Sequence, residues 1–329
     1  AFQANDSNPV LLDKFLDVAI EFDVEAISDG TEILICGILQ HIEQAGVHSG
    51  DSACSIPPYN IDKKTEDKIR KEVIKVIENM EIIGLVNVQI AYVNNTVYLL
   101  EVNPRASRTI PFVSKALGMP LAKIAARVMA GISLKEQKIS EVPKLEFFNV
   151  KEAVMPFEKF QNVDPILGPE MRSTGEVMGI GKTFEEAFEK AEIAAGVSIP
   201  DSGSAFISVR NTDKQFLKDI AEDLTTAGFT LVGTKGTVRT LKELGYPARQ
   251  INKVLEGRPH IIDLMKNKEI SLVINTTEGR ESIKDSASIR RTALEEKICC
   301  TTTIQGAVAI CKVIRNQLDW SVQKLQDIH

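Results

Sequence analysis

Apolar and polar positions follow two rhythms along this 329-residue chain, and the change near residue 200 is the first sign of its organisation. In the first part, β-prone apolar stretches at 22–27, 33–39, 86–93 and 97–102 predict strands, and a helical pattern at 66–79 lies between the second and third. This order is α+β rather than a simple β-α repeat. After Pro104, the helical period predicts helices over 111–117 and 121–129, then a strand-rich stretch to about residue 175, then a helix over 183–195 that stops at Gly196. The opening residues, AFQANDSNPV, carry no cap or start signal, as if a larger domain had been entered midway.

The segment VSIPDSGSA is punctuated by Pro and Gly and reads as a linker, which places a domain boundary near residue 200. Beyond it, strands expected at 205–209, 230–233, 271–275 and 298–301 alternate with helices at 213–227, 237–244, 282–293 and 303–318. Phe216, Ile220 and Leu224 share one helical face. Such alternation implies a parallel, doubly wound sheet that binds ligands at the carboxyl ends of its strands. The fold expected is therefore mixed α/β and α+β, with domains at 1–199 and 200–329.

Composition narrows the classes. A hydrophobic content of 43% allows one large core or two ordinary ones and the length favours two, while a net charge of −6, without a concentrated basic segment, argues against nucleic acid as a partner. No apolar run approaches the roughly 20 residues a membrane helix requires, and the start shows no signal-peptide pattern, so the reading is a soluble, cytoplasmic protein. Five cysteines without C-x-x-C spacing suit a reducing compartment, and four histidines, His41, His48, His260 and His329, are too dispersed to suggest zinc.

Candidate chemistry concentrates in NVQIAYVNNTVYLLEVNPRASRT, residues 87–109. Two strands flank an Asn-Asn turn, and the second ends in Glu101, Asn103 and Pro104. Side chains two apart on a strand share a face, so Glu101 and Asn103 point into one cleft as hard oxygen ligands suited to magnesium. Gln89 joins them only if the hairpin contains a bulge or a three-residue turn, because a strict two-residue turn would pair it with Leu100. An ordinary hairpin with a wet polar face is the competing reading. Arg105 and Arg108 follow directly, and guanidinium groups beside a metal suit a transferring phosphoryl group.

The run EVNPRASRTIPFVSKALGMPLAKIAARVMAG resembles carbamoyl phosphate synthetase large subunits, as do QHIEQAGVHSGDSACSIPPY, GPEMRSTGEVMGIG and INKVLEGRPHIIDLMKN. The resemblance covers essentially the whole chain and implies the end of a second ATP-grasp domain followed by a methylglyoxal-synthase-like regulatory domain. It implies an ATP-dependent ligase that phosphorylates carbamate to carbamoyl phosphate for pyrimidine and arginine biosynthesis, with the fragment alone inactive. ATP and Mg2+ or Mn2+ are the implied cofactors. A small glutaminase subunit, the remainder of the large subunit, the nucleotide effectors UMP and IMP, and ornithine are the implied partners in a hetero-oligomer.

Carried over by position, the resemblance makes Gln89, Glu101 and Asn103 metal ligands and places Lys14, Leu16, Glu21, Gly46, Val47, His48, Ser49, Gln89 and Glu101 around ATP. Lys14 stands where the family often has histidine. Lys214, Thr234, Thr237, Lys253, Asn275, Thr276 and Thr277 match effector positions, and Gly233-Thr234-Lys235-Gly236-Thr237 joins a strand to a helix, where a phosphate can be received. Glu43, Asp51 and Glu152 match an amino-acid activator site. The run GIGKT at 179–183 is not a Walker motif, because five residues rather than four separate Gly175 from Gly181, and it reads as a turn and helix cap. Another ATP-grasp carboxylase, or a nucleotide-binding module without activity, are the alternatives.

Overall fold

The computed structural model describes residues 12, 14–16, 18–157, 163–316, 322, 324, 326 and 328. The opening decapeptide, His329 and the last residues of the helix expected over 303–318 lie outside the described residues.

The first part is built on a seven-stranded antiparallel sheet: β1 (Ile20–Asp29), β2 (Ile33–His41), β3 (Cys54–Ile56), β4 (Ile83–Val93), β5 (Thr96–Asn103), β6 (Phe148–Val154) and β7 (Gly175–Gly181), in the order β5-β4-β1-β2-β3-β6-β7. One face of β1 and β4 carries Phe22, Val24, Val86, Val88 and Ile90 against α1 (Lys63–Asn79), which turns Ile69, Val73 and Ile77 inward. Asp62 starts this helix by accepting from the Thr65 N–H at 2.8 Å. The other face divides. Toward one end, Ile27, Leu34, Cys36 and Ile56 pack under α2 (Ile110–Leu117) and α3 (Leu121–Met129), while toward the other it is polar.

Two bulges decide which residues reach the polar face. In β2, Gly37 pairs with Glu25 and Ile35 with Ala26, so Cys36 is an extra residue and the side-chain alternation shifts beyond it. In the β4-β5 hairpin, Asn94 and Asn95 form a two-residue turn with φ of 49° and 58°, and Leu100 is the extra residue. Gln89 is therefore paired with Glu101 and Asn87 with Asn103. Strand β5 is an edge strand whose Tyr98, Leu99 and Leu100 are exposed.

Between β6 and β7, the described residues contain no strand, so the strand-rich stretch expected to residue 175 reduces to β6 and the start of β7. Helix α4 (Phe184–Ala195) lies directly on β7. A Cβ at Gly179 would come within 2.0 Å of the Ala187 carbonyl oxygen, so glycine permits the close approach. Thr183 accepts from the Glu186 N–H at 3.2 Å, the cap expected from the GIGKT run.

The second part is a five-stranded parallel sheet of β8 (Ser204–Ser208), β9 (Thr230–Gly233), β10 (Ala248–Gln250), β11 (Leu272–Asn275) and β12 (Cys299–Thr301), in the order β10-β9-β8-β11-β12. Helices α5 (Leu217–Thr226), α6 (Lys235–Glu243), α7 (Ile261–Lys266) and α8 (Arg280–Glu295) connect the strands, and α9 (Ile304–Asn316) follows β12. Chain order reverses between β8 and β11, the position at which a doubly wound sheet opens a crevice. The helix expected over 213–227 is instead a 3-10 turn at Asn211–Phe216 followed by α5, and α6 begins two residues earlier than expected. The short β3, β10 and α7 carry too few residues to show a period and were not anticipated.

One hydrophobic cluster runs through both parts. Phe184, Phe188 and Ala191 of α4 and Val150 of β6 join Leu217, Ile220, Leu224, Ile310 and Ile314. A polar clasp adds to it. The fully buried Arg290 of α8 pairs through Nε with Asp164 Oδ1 at 2.7 Å and through a terminal nitrogen with Asp164 Oδ2, while donating to Asn275 Oδ1 at 3.0 Å.

Candidate nucleotide and metal site

Strand register assembles the site in two rows across the polar sheet face. Glu101, Gln89 and Asp23 are neighbours along one row, and Asn103, Asn87 and Glu25 along the other. All of them except Glu25 floor a cleft of about 590 Å³. Gln89, Glu101 and Asn103, the residues expected to hold metal, all line it, and among the described residues nothing bonds to the Glu101 carboxylate. A carboxylate, a side-chain carbonyl and a glutamine on one face provide the hard oxygen donors that a small divalent cation takes, with its remaining positions left to phosphates and water. This donor set fits magnesium.

The walls bring together the other residues expected around ATP. Lys14 and Leu16 line it with Phe15, and Gly46, Val47, His48 and Ser49 form a loop beside them. Gly46 has φ of 101°, and its missing side chain leaves room for the Phe15 ring, 3.2 Å from where a Cβ would stand. Phe15, Leu16 and Val47 form an apolar wall suited to a flat ring. His48 accepts from the Gly50 N–H through Nδ1 at 3.0 Å and donates its own N–H to the Gly168 carbonyl at 2.8 Å, which ties the loop to the stretch before β7. Gln89 Nε2 donates to Ser49 Oγ at 3.2 Å.

Arg105 and Arg108 stand at the rim. The Arg108 guanidinium crosses Gly50, where a Cβ would lie 2.6 Å from it, and among the described residues the Arg105 side chain donates only to the carbonyl of Ala106, at 3.4 Å. Both line the cleft.

At and beneath the floor lies a carboxylate network of which the sequence reading named only Glu21. Glu21, Asp23 and Glu25 alternate along β1, so all three face the cleft side, and all are buried. Burial raises the Glu21 carboxyl above its usual range, with the Asp23 charge adding to the shift. Burial pushes Glu25 up to about 7 despite hydroxyl donors from Ser107 and Thr109. For Asp23 burial acts upward too, but the His41 bond at 2.9 Å and a donor from Asn87 outweigh it and hold the group low. Asp23, His41 and Cys54 lie within 4.8 Å of one another. The buried Lys151, opposite Cys54 in the register, already supplies positive charge there and reaches Glu176 at 3.8 Å. A strand that reads E-F-D-V-E was the available signal.

A second group of polar residues lies at the carboxyl ends of β8, β9 and β11, where a doubly wound sheet opens its crevice. Thr234 caps α6, Thr237 sits in its first turn, and the Lys214 ammonium stands 3.7 Å from where a Gly236 Cβ would be. Thr276 Oγ1 accepts from the Arg210 N–H at 3.1 Å. Asn275 Nδ2 and Thr277 Oγ1 are buried without a hydrogen-bond partner among the described residues. Lys253, exposed, follows β10.

The three residues expected to receive an amino acid have different hydrogen-bond partners. Glu43 and Glu152 approach each other and a third carboxylate, Glu192, all raised in pKa by burial, with mutual repulsion adding for Glu152 and Glu192. Asp51 instead accepts from the Arg172 and Ser173 N–H groups, each at 2.8 Å, because the chain between β6 and β7 needs an anchor for those donors.

Comparison with known proteins follows this division. Residues 1–137 match the family model described as the carbamoyl-phosphate synthase L chain, ATP binding domain, and residues 217–302 match the MGS-like domain. The carbamoyl phosphate synthase large chain of Pseudomonas aeruginosa is 55% identical over all 329 residues, and that of Vibrio vulnificus is 52% identical over 329. The chain belongs to the carbamoyl phosphate synthase large-chain family. It spans 31% of the Pseudomonas aeruginosa protein and 30% of the Vibrio vulnificus protein. Among solved structures, Kluyveromyces lactis urea carboxylase superposes with a TM-score of 0.43 at 15% identity, over 54% of this chain and 18% of that one, too slight a likeness to bear on function.

Proposed function

We propose that this chain supplies the floor and one wall of a site that transfers the γ-phosphoryl group of ATP to carbamate, giving ADP and carbamoyl phosphate. The observation that carries the reading is the register of the β4-β5 hairpin, which sets Gln89 against Glu101 and leaves Asn103 beside the Arg105–Arg108 loop. Glu101, Asn103 and Gln89 would hold magnesium, which when bound would neutralise phosphate charge. Phe15, Leu16 and Val47 would seat the base. Arg105 and Arg108 then offset charge that develops on the transferring oxygens, without a covalent protein nucleophile. Positioning and neutralisation are what phosphoryl transfer asks of a protein.

The wider assignment rests on the family. Residues 1–199 act as part of a second ATP-grasp domain and residues 200–329 as a regulatory domain, within a cytoplasmic hetero-oligomer that includes a glutaminase subunit and serves pyrimidine and arginine biosynthesis. The rest of the large chain completes the nucleotide site. The buried, unpartnered Asn275 Nδ2 and Thr277 Oγ1, beside Lys214 and the start of α6, support a nucleotide effector such as UMP or IMP in the second crevice. Glu43 and Glu152 would take the ammonium of ornithine.

The complete large chain carrying Glu101→Gln tests the catalytic reading. Carbamoyl phosphate formation is expected to be abolished, and near-normal formation at limiting magnesium would rule the metal assignment out. Calorimetry with UMP and with IMP tests the second crevice, and no heat from either counts against an effector site.

A further inference from the structure

We propose that Glu25 is a positioning residue that holds both the metal-facing row and the arginine loop of the cleft, an assignment that rests on the phosphoryl-transfer reading above. Glu25 is fully buried in the middle of β1 and does not line the cleft, so it acts only through other residues. Its Oε1 accepts from three side chains: Asn87 Nδ2 at 2.8 Å, Ser107 Oγ at 2.6 Å and Thr109 Oγ1. Its Oε2 has no hydrogen-bond partner among the described residues.

Each of the three donors leads to a residue at the rim. Asn87 Oδ1 accepts from Asn103 Nδ2 at 3.4 Å, so Glu25, Asn87 and Asn103 form one hydrogen-bonded row across β1, β4 and β5. Ser107 and Thr109 flank Arg108, and their hydroxyls lie 2.7 Å apart. Pinning the residues on both sides of Arg108 to one point on a central strand removes most of the freedom of the loop that starts at Pro104. An apolar side chain on β1 would fill the space without the desolvation that a buried carboxylate incurs. The carboxylate is there as an acceptor, and every bond it accepts leads toward the cleft.

The geometry also explains why Asp23 cannot substitute. Its oxygens take His41 and Asn87, and it makes no bond to the 107–109 stretch among the described residues. Charge-assisted bonds to a buried group that is then lost correspond to a rate or binding change of about 10- to 100-fold.

The test compares the complete large chain with its Glu25→Gln and Glu25→Ala forms by three readouts: amide hydrogen exchange, melting temperature, and kinetics with varied magnesium. Both variants are expected to exchange faster at residues 105–109 while β1 and β4 stay protected, to lose about 10- to 100-fold in kcat/KM, and to need more magnesium for half-maximal rate. Glu25→Gln, which keeps one acceptor of the same length, is expected to retain more of each property than Glu25→Ala. A merely structural Glu25 would lower the melting temperature and protection across β1 without moving the magnesium requirement, and that result overturns the proposal. If Glu25→Ala does not fold, the isosteric Glu25→Gln decides, and wild-type exchange at 105–109 in that variant overturns it. Faster loop exchange in a chain whose wild type phosphorylates nothing leaves the positioning intact and refutes the phosphoryl-transfer reading instead.

Discussion

Replacing Asp164 with asparagine isolates the energy of the clasp between the two parts of the chain. Arg290 has no exposed side-chain surface and directs two nitrogens at the Asp164 carboxylate, whose own side chain keeps 24% of its surface exposed. Its remaining donors go to Asn275 Oδ1 at 3.0 Å and the Ile283 carbonyl at 2.7 Å. Asp164→Asn preserves shape but turns one acceptor into an amide donor facing a guanidinium N–H, and it leaves the buried cation unpaired. Breaking a buried pair from one side costs about 3–5 kcal/mol, and the partial exposure of Asp164 selects the lower end, about 3 kcal/mol. At roughly 2 °C per kcal/mol for a chain of this size, the melting temperature falls by about 6 °C. Scanning fluorimetry of the wild type, Asp164→Asn, Arg290→Met and the double variant measures both the loss and the coupling. A shift below about 1 °C for Asp164→Asn, or additive single losses, would show that the clasp carries no net energy.

Other outcomes follow from burial and close packing. Glu25, pushed up to about 7, and Glu192, pushed up to about 8, both keep protons in the folded chain that the unfolded chain releases near 4.5. Their contribution is present below pH 4.5 and is lost as pH rises through 7 to 8; His41, raised above 6.5 because Cys54 and Asp23 overcome the effect of burial, acts with the same sign. Melting temperature is therefore expected to fall between about pH 5 and pH 8, and Glu192→Gln to flatten that slope in a pH series of thermal melts. Gly179→Ala, whose Cβ meets the Ala187 carbonyl at 2.0 Å, is expected to cost more than about 3 kcal/mol, seen as lost soluble yield and a lowered urea midpoint. Gly50→Ala drives a Cβ to 2.6 Å from the Arg108 guanidinium, so nucleotide affinity measured by calorimetry is expected to drop while the melting temperature changes little.

The chain's own residues determined the element types wherever a pattern ran long enough. The apolar stripe of α1, the buried alternation of β1 and β2, and the strand-helix alternation beyond residue 200 are local properties of side-chain period, and they set the fold class. The residues gathered in the cleft were also legible, because Glu101 and Asn103 are two apart on a strand and the arginines follow immediately. Elements of three to six residues, such as β3, β10 and α7, escaped because so short a run has no period.

Tertiary structure decided the rest, since register is a property of pairs of strands. The extra residue Leu100 turns Gln89 toward Glu101, and the extra Cys36 shifts the alternation along β2; neither bulge has a signature that separates it from a regular strand. Glu25 read as one carboxylate in a strand until three donors from positions 62, 82 and 84 residues away converged on a single oxygen. Asp51 shows the converse, a carboxylate spent on backbone donors more than 120 residues distant. Hydrogen bonding of this kind depends on which surfaces meet after the sheets have packed, and no local stretch of sequence contains that information.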